Sequence, residues 1–453
     1  MKSWTEIGEG SGDAGAIAAP APEARRATTR GYAGWAALVA LTVGAVAALG
    51  PMLGMHVPPR TIAVIAAGAL TVPLAPARAF EITALAGVLA LATTTGAYAL
   101  YHLAIVGLLF AGRTTTWATA AVLGLLAIWL PKHLFSTHYH HPAAYAWINE
   151  PSVVLLLFVS AAWWRQRRDG RLPPATLAAP APVWALMYVF PGHAVNPMVF
   201  SPGDVFRARR LDARPVLIGL ALVAMKAAVH TGIARCFAQA SFAVFDLARA
   251  AAASRAELWE VVAINYLDLV VTLSGTADVA VVLARLYGWP MPSPFRFALL
   301  AWNPVELWRR WGIYNRKLLL TLVYFPLGGN LHDRYRNVML TFLGSALLLH
   351  TGWFGSKYWA VGPGGWRDQT AYFLVQGLLV CGCLLARDLR ARGQAVRPPE
   401  DRALRWSWGR AAGTVATQAA SALAHVIILA HEIPFFDRVG LMARCLGAPL
   451  TSR

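Results

Sequence analysis

Charged residues are scarce in this sequence, and acidic residues are scarcer than basic ones. Charged residues make up 14% of the 453 residues and hydrophobic residues 57%, whereas a soluble domain carries about 25% charged residues. The mean hydropathy is +0.50. So little charge excludes a soluble globular protein. It predicts an all-α polytopic membrane protein with about nine to twelve membrane-spanning helices and re-entrant segments.

Cysteine is also rare, with four residues in the chain. Their spacing does not form the two pairs that a zinc site needs, and Cys381 and Cys383 lie in an apolar stretch where they are predicted to pack as small side chains. Four histidines between positions 133 and 141 leave two interpretations open, a metal site or an interfacial loop. No cysteine or spaced carboxylate accompanies them, so no metal and no bound cofactor is expected.

The start of the chain has no apolar run. Residues 1–30 are polar and rich in alanine and proline, which predicts a disordered tail and not a cleaved signal peptide. Arg25, Arg26 and Arg30 precede the first apolar span and favour a cytoplasmic N-terminus. The expected location is the bacterial cytoplasmic (inner) membrane, which the chain crosses several times.

Basic residues are in excess and give a net charge of +18. They cluster in short loops beside apolar spans, as in cytoplasmic loops that face anionic lipid. No basic-aromatic module of the nucleic-acid-binding kind is found. Membrane lipids are therefore the expected partner of this charge, and nucleic acid is not.

Polar residues are concentrated in one stretch, from Ser274 to Gly352, where they alternate with apolar runs. Ionisable groups at membrane depth are rare and usually face a cavity or a partner, so the function is expected here. The sequence predicts a single integral-membrane domain over 31–440 with its core at 190–360, and a C-terminal tail at 441–453. Asp268 and Asp278 are predicted to pair with Arg285 inside the helix bundle.

The motif WNPVELWRRW at 302–311 combines aromatic and charged residues. On a helix, Trp308 and Trp311 share one face, and Glu306 lies within reach of the two arginines between them. The run YFPLGGN at 324–330 then ends a helix, turns on two glycines and leads into the apolar segment that carries His350. One interpretation of the first motif is a surface helix end with aromatic anchors and a salt bridge.

In this order and spacing, the motifs resemble the membrane-bound O-acyltransferase family, and most closely its bacterial branch of alginate O-acetylation and teichoic-acid D-alanylation proteins. The tracts that carry the resemblance are Phe190-Pro191 with Asn196-Pro197, SGTADVA at 274–280, the segment from Trp308 to Asn330, and His350-Thr351-Gly352. Two positions depart from the pattern. Gly312 stands where the branch commonly has a histidine, and Leu349 stands where a tryptophan precedes the invariant histidine.

The resemblance implies a helical bundle with a central tunnel and an acyltransferase that transfers groups other than aminoacyl groups. The donor would be a thioester such as acyl-CoA or acetyl-CoA. The acceptor would be a hydroxyl of a polysaccharide, glycolipid or metabolite, as in O-acetylation and other polysaccharide modification. A periplasmic or cytoplasmic partner protein is left open. The alternative of a different class is a non-catalytic acyl or lipid carrier or scaffold.

The resemblance also implies site residues. His350 is expected to act as the general base, because a buried neutral imidazole can take a hydroxyl proton. Asn315 is expected beside it as a second catalytic group, with a surface asparagine at a helix end as the alternative. The residues expected to bind substrate are Arg309, Arg310, Trp311, Asn303 and Asn337.

Overall fold

The computed structural model describes residues 29–55, 57–95, 211–241, 247–289, 291–346, 365–391, 407–429 and 433–448. Within these ranges the chain forms helices and contains no β-strand, which confirms the predicted all-α fold. The α-helices in chain order are α1 (Thr29–Met52), α2 (Pro59–Thr71), α3 (Ala79–Thr95), α4 (Ala213–Cys236), α5 (Leu247–Ala252), α6 (Arg255–Leu286), α7 (Pro304–Arg310), α8 (Ile313–Leu319), α9 (Arg334–Gly344), α10 (Gly365–Ala391), α11 (Trp408–Leu429) and α12 (Phe435–Cys445).

Five of the described helices are long and apolar enough to cross a membrane, which confirms a polytopic membrane protein. They lie in α1, α4, α6, α10 and α11. The apolar run at 61–77 predicts a membrane span, but the helix there is shorter, because α2 ends at Thr71 and Pro73 follows without a backbone donor. The apolar runs at 115–131 and 152–164 also predict spans, and the prolines from Pro191 onward predict a broken segment. These three parts lie outside the described residues.

The central element is α6. It starts with a capping box, in which the Ser254 hydroxyl and the Glu257 carboxylate each accept from the other residue's backbone N–H. Its N-terminal half packs against α11 and α12, and its C-terminal half packs against α1 and α4. Each residue from 274 to 284 is buried, so the polar SGTADVA tract lies inside the bundle.

Asp278 on α6 is paired, but not with Arg285. Its carboxylate accepts from Lys226 Nζ on α4 at 2.5 Å and from the Ser293 hydroxyl at 2.6 Å. The prediction of an Asp278–Arg285 pair is wrong. The two residues are seven positions apart on one helix, or about 10 Å along its axis, whereas Lys226 reaches Asp278 from the facing helix.

The remaining members of the predicted cluster also have other partners. Arg285 donates to the carbonyl oxygens of Pro215 and Met291. Asp268 contacts His230 Nδ1 on α4 at 2.6 Å, so its predicted pairing with Arg285 is wrong too. These contacts connect α6 to α4 and to the chain after α6.

A turn between the π-helical residues Leu320–Tyr324 and α9 depends on one buried amide. Gly328 and Gly329 have φ of 96° and 58°, values that favour glycine. Asn337 on α9 is fully buried, and its Nδ2 donates to the carbonyl oxygens of Leu327 at 2.9 Å, Gly329 at 3.0 Å and His332 at 2.6 Å. This residue therefore holds the PLGGN turn against α9.

The substitution Asn337→Asp is expected to lower the free energy of unfolding by about 2–3 kcal/mol, because a carboxylate cannot donate and would face three carbonyl oxygens. Thermal unfolding in detergent measures the change. Asn330→Asp is the matched control, since Asn330 uses its Oδ1 to accept from the Tyr324 hydroxyl and a carboxylate keeps that acceptor. Equal losses in both variants would contradict the assigned role of Asn337.

Candidate active site

Two cavities meet beside α7 and α8. The first, here called the apolar cavity, has a volume of about 180 Å³. Its lining residues are Leu273, Phe295, Val305, Trp308, Arg309, Trp311, Gly312, Asn315, Arg316, Leu319, Leu320, Tyr324, Phe325, Val338, Thr341, Phe342, Ser345, Val380 and Leu384. The sequence-predicted residues Arg309, Trp311 and Asn315 are thus brought together around one space.

The second space, here called the charged groove, has a volume of about 980 Å³. Its ionisable lining residues are six basic and two acidic side chains: Lys226, Arg296, Arg309, Arg310, Arg316, Lys317, Asp278 and Glu306. Phe295, Arg309 and Arg316 line both spaces. A ligand with an apolar end and an anionic end can therefore lie with one end in each.

The short helices α7 and α8 place these side chains. Asn303 caps α7, since its Oδ1 accepts from the Glu306 N–H at 2.8 Å, and Pro304 occupies the first helical position. Gly312 has φ of 55° and separates the two helices. Asn303 thus starts the helix that carries the arginines. Its predicted contact with substrate stays a prediction.

The two tryptophans of α7 and its C-cap form one wall of the apolar cavity. The ring centroids of Trp308 and Trp311 are 6.4 Å apart and both rings line the cavity, which confirms that they share a face. Trp308 Nε1 donates to Gln376 Oε1 on α10 at 3.2 Å. Trp311 meets the edge of Phe295 at a centroid distance of 5.3 Å. Contacts with α10 and with the chain before α7 therefore fix the position of this wall.

Glu306 holds both arginines that were expected at the site. It contacts Arg309 at 3.3 Å and Arg310 at 2.8 Å, which confirms the predicted i, i+3 and i, i+4 reach. Arg309 lines both spaces, whereas Arg310 lines the charged groove and not the apolar cavity. The single carboxylate therefore fixes both guanidinium groups toward the groove.

Arg316 on α8 differs from these two arginines. Among the residues that the structure describes, its side chain has no hydrogen-bond or ion-pair partner. Burial, and after it the neighbouring Arg309, lower the pKa of Arg316 to about 10, with Glu306 acting in the opposite direction. The group is still charged at neutral pH. An anion bound between the two spaces would supply the missing partner.

Asn315 lies in the wall of the apolar cavity, one residue before Arg316. Its Oδ1 is buried and accepts no hydrogen bond from the described part of the chain. Buried polar atoms are nearly always paired, so the vacant amide marks a place for a hydrogen-bonding group. The catalytic role expected for Asn315 and its alternative, a surface asparagine at a helix end, both stay predictions.

His350 lies outside the described residues, and so does the His133–His141 loop. The chain leading to His350 does reach the site, because Ser345, five residues earlier, lines the apolar cavity. Asn337 lines neither space and instead holds the turn described above. Its predicted contact with substrate stays a prediction.

Sequence reasoning missed His425 on α11. Its buried ring contacts Trp311 at a centroid distance of 6.2 Å and Tyr372 at 4.6 Å. Nδ1 lies 2.7 Å from the Ser421 carbonyl oxygen and must donate to it, so Nε2 accepts from the Tyr372 hydroxyl at 3.0 Å. His425 therefore packs against Trp311 without lining the apolar cavity. The only signal in the sequence was a histidine within an apolar helix.

Comparison with known proteins adds a relationship to this geometry. No protein-family model matches the chain. The peptidoglycan O-acetyltransferase of Helicobacter pylori is 31% identical over 117 residues, which cover 25% of this chain and 22% of that protein. The probable alginate O-acetylase of Pseudomonas putida is 30% identical over 99 residues, 21% of this chain and 19% of that protein.

The matched part of this chain is similar to bacterial O-acetyltransferases. A further probable alginate O-acetylase, from Azotobacter vinelandii, is 31% identical over 97 residues, 21% of this chain and 18% of that protein. These matches confirm the resemblance that the motifs indicate. The chain spans about a fifth of the length of the curated relatives it matches, 22% for the Helicobacter pylori protein.

Proposed function

We propose that this chain is a membrane-bound O-acyltransferase of the bacterial cytoplasmic membrane, with its N-terminus in the cytoplasm. It moves an acyl group from a thioester donor such as acyl-CoA to a hydroxyl of a polysaccharide, glycolipid or metabolite. The observation that carries the proposal is the junction of the apolar cavity and the charged groove at Arg309 and Arg316, beside the vacant amide of Asn315. The similarity to O-acetyltransferases supports the same reaction class.

The donor has the two chemical parts that the two spaces favour. An acyl-CoA carries phosphates at one end and an acyl group at the other. The charged groove presents six basic side chains, and guanidinium groups match phosphate oxygens with paired donors. The apolar cavity takes the acyl group, so that the thioester lies near Arg316 and Asn315. Trp311 forms part of the wall that contacts the acyl group.

The transfer exchanges one bond for another. His350 removes the proton of the acceptor hydroxyl, whose oxygen attacks the thioester carbonyl carbon. The carbon–sulfur bond breaks as the ester carbon–oxygen bond forms, and the proton ends on the departing sulfur. Asn315 can donate to the carbonyl oxygen or accept from the hydroxyl, since its amide offers both functions.

Asn315 also stands beside the position where the related branch has a histidine. A side chain attached to Gly312 would begin 3.9 Å from the Cβ of Asn315. Gly312 has the left-handed backbone that glycine adopts most readily and carries no side chain. We therefore place the second polar group of the site on Asn315. Asn303 and Asn337 contribute by holding α7 and the PLGGN turn.

A turnover assay tests the proposal. The purified full chain is incubated with acyl-CoA and with a carbohydrate and lipid extract of the producing bacterium, and free thiol is measured. Release of CoA that depends on the extract is the expected result. Binding of acyl-CoA without release would contradict the enzymatic proposal and indicate the acyl or lipid carrier instead.

The substitution Arg316→Gln is expected to weaken acyl-CoA binding by about ten- to a hundredfold, the usual effect of losing a hydrogen bond from a charged group. Calorimetry with the protein in detergent measures the dissociation constant. Arg336→Gln is the matched control, because Arg336 is an exposed residue of α9 that pairs with Asp333 at 2.9 Å. Unchanged affinity in the Arg316 variant would remove this residue from the donor site.

A further inference from the structure

The apolar cavity is larger than an acetyl group needs. Its volume is about 180 Å³. In other proteins, an apolar cavity of about 150 Å³ binds benzene, a group of six carbons. An acetyl group has only one methyl beyond its carbonyl carbon and would leave most of the space empty. An occupant that leaves part of the cavity unfilled makes fewer dispersion contacts with the wall, so a larger occupant binds better.

The charged groups of the cavity are confined to one part of its wall. Arg309 and Arg316 belong to the section shared with the charged groove, and Asn315 is next to them in the chain. The section that the groove does not share includes Val338 and Phe342 of α9 and Val380 and Leu384 of α10. This section offers contacts to a hydrocarbon, and its Thr341 hydroxyl already donates to the Asn337 carbonyl oxygen.

The side chains of α10 that close this section are buried. Val380 is 6% exposed and Leu384 is 2% exposed. α10 also lies very close to α9, because a Cβ on Gly377 would come within 2.9 Å of Met339 Sδ. The wall formed by these two helices therefore has little room to move when a longer acyl chain binds.

We infer that the donor carries a medium-length acyl chain of about six carbons instead of an acetyl group, and that Val380 limits the length of this chain. The inference rests on the proposed function, since it names the acyl group that the thioester brings. The bond exchange is the one given above. The relatives are named for acetyl transfer, so this assignment separates the present chain from them by its acyl pocket.

Thioether analogues of the donor test the inference without turnover. S-methyl, S-butyl, S-hexyl, S-octyl and S-dodecyl coenzyme A are titrated into the full chain in detergent, with coenzyme A alone as the reference. Affinity is expected to increase about fourfold for each added methylene until the cavity is full, near six carbons, and to stop increasing beyond about eight.

Variants of Val380 give opposite expected shifts. Val380→Phe fills the cavity and moves the best-bound analogue to a shorter chain, and Val380→Ala enlarges it and moves the optimum to a longer one. The two changes cannot both result from general damage to folding. Leu378→Phe is the matched control, since Leu378 lies on the exposed face of α10 and is 61% exposed. It is expected to leave the optimum unchanged.

The outcomes separate the two proposals. If S-methyl coenzyme A binds as tightly as the S-hexyl analogue, the inference of a medium-length chain is wrong and the thioester donor stands. If the optimum does not move in either Val380 variant, Val380 does not limit the chain. If neither coenzyme A nor any analogue binds, the donor proposed for the whole reaction is wrong.

Discussion

Replacing His350 by alanine is expected to reduce the rate of acyl transfer by about 10²–10⁴-fold, the usual contribution of a positioned general base. A hydroxyl is a poor nucleophile until its proton is removed, and the imidazole is the group that the motif supplies for this step. Binding of acyl-CoA should change little, because other residues form the proposed donor site. The thiol-release assay and calorimetry measure the two quantities separately.

His332→Ala provides the control for this variant. His332 is exposed in the turn before α9, and it lines neither the apolar cavity nor the charged groove. It is expected to keep full activity. A His350→Ala protein that is as active as His332→Ala would show that another group removes the proton, and the role given to His350 would have to be withdrawn.

Asp278→Asn is expected to lower the free energy of unfolding by about 3–5 kcal/mol, since removing one member of a buried ion pair leaves an uncompensated charge. The carboxylate is 4% exposed and its partner Lys226 is 15% exposed, so water cannot replace the lost partner well. Thermal unfolding in detergent gives the loss. Asp333→Asn removes an exposed pair with Arg336 and is expected to change stability by less than about 1 kcal/mol.

A double variant shows whether the loss belongs to the pair. Lys226→Met combined with Asp278→Asn removes both charges, and the combined loss is expected to be smaller than the sum of the two single losses. Additive losses would mean that Lys226 and Asp278 stabilise the bundle independently of each other. The Ser293 hydroxyl keeps an acceptor in the asparagine variant, so this second contact does not complicate the comparison.

The sequence was sufficient for features that depend on local spacing. The scarcity of charge predicts membrane helices, and five described helices meet that expectation. Neighbours three and four positions apart on a helix must lie together, which explains why the Trp308–Trp311 face and the reach of Glu306 are confirmed. The catalytic role expected for Asn315 comes only from the family resemblance and stays a prediction.

Contacts between distant parts of the chain could not be predicted in this way. Asp278 pairs with a lysine 52 positions earlier, and no periodicity within α6 shows which residue of α4 faces it. The contacts of Asn337 could not be predicted either, because the three carbonyl groups to which it donates come together only when the turn has formed. His425 reaches Trp311 from a helix more than a hundred residues later, so only the packed structure brings it to the site.

The length of α6 has a consequence for how the protein sits in the bilayer. Its 32 residues extend about 48 Å, whereas the hydrocarbon layer is about 30 Å thick. Even with a tilt of 40°, the helix would still cover about 37 Å along the membrane normal. One end must therefore project among the lipid headgroups.

The charged, exposed N-terminal turns of α6 are the end suited to this position. Arg255 and Trp259 of these turns both donate to the Cys445 carbonyl oxygen at the end of α12. α12 is thereby held beside this end of α6, and we expect it to lie at the boundary between lipid tails and water on that side of the membrane.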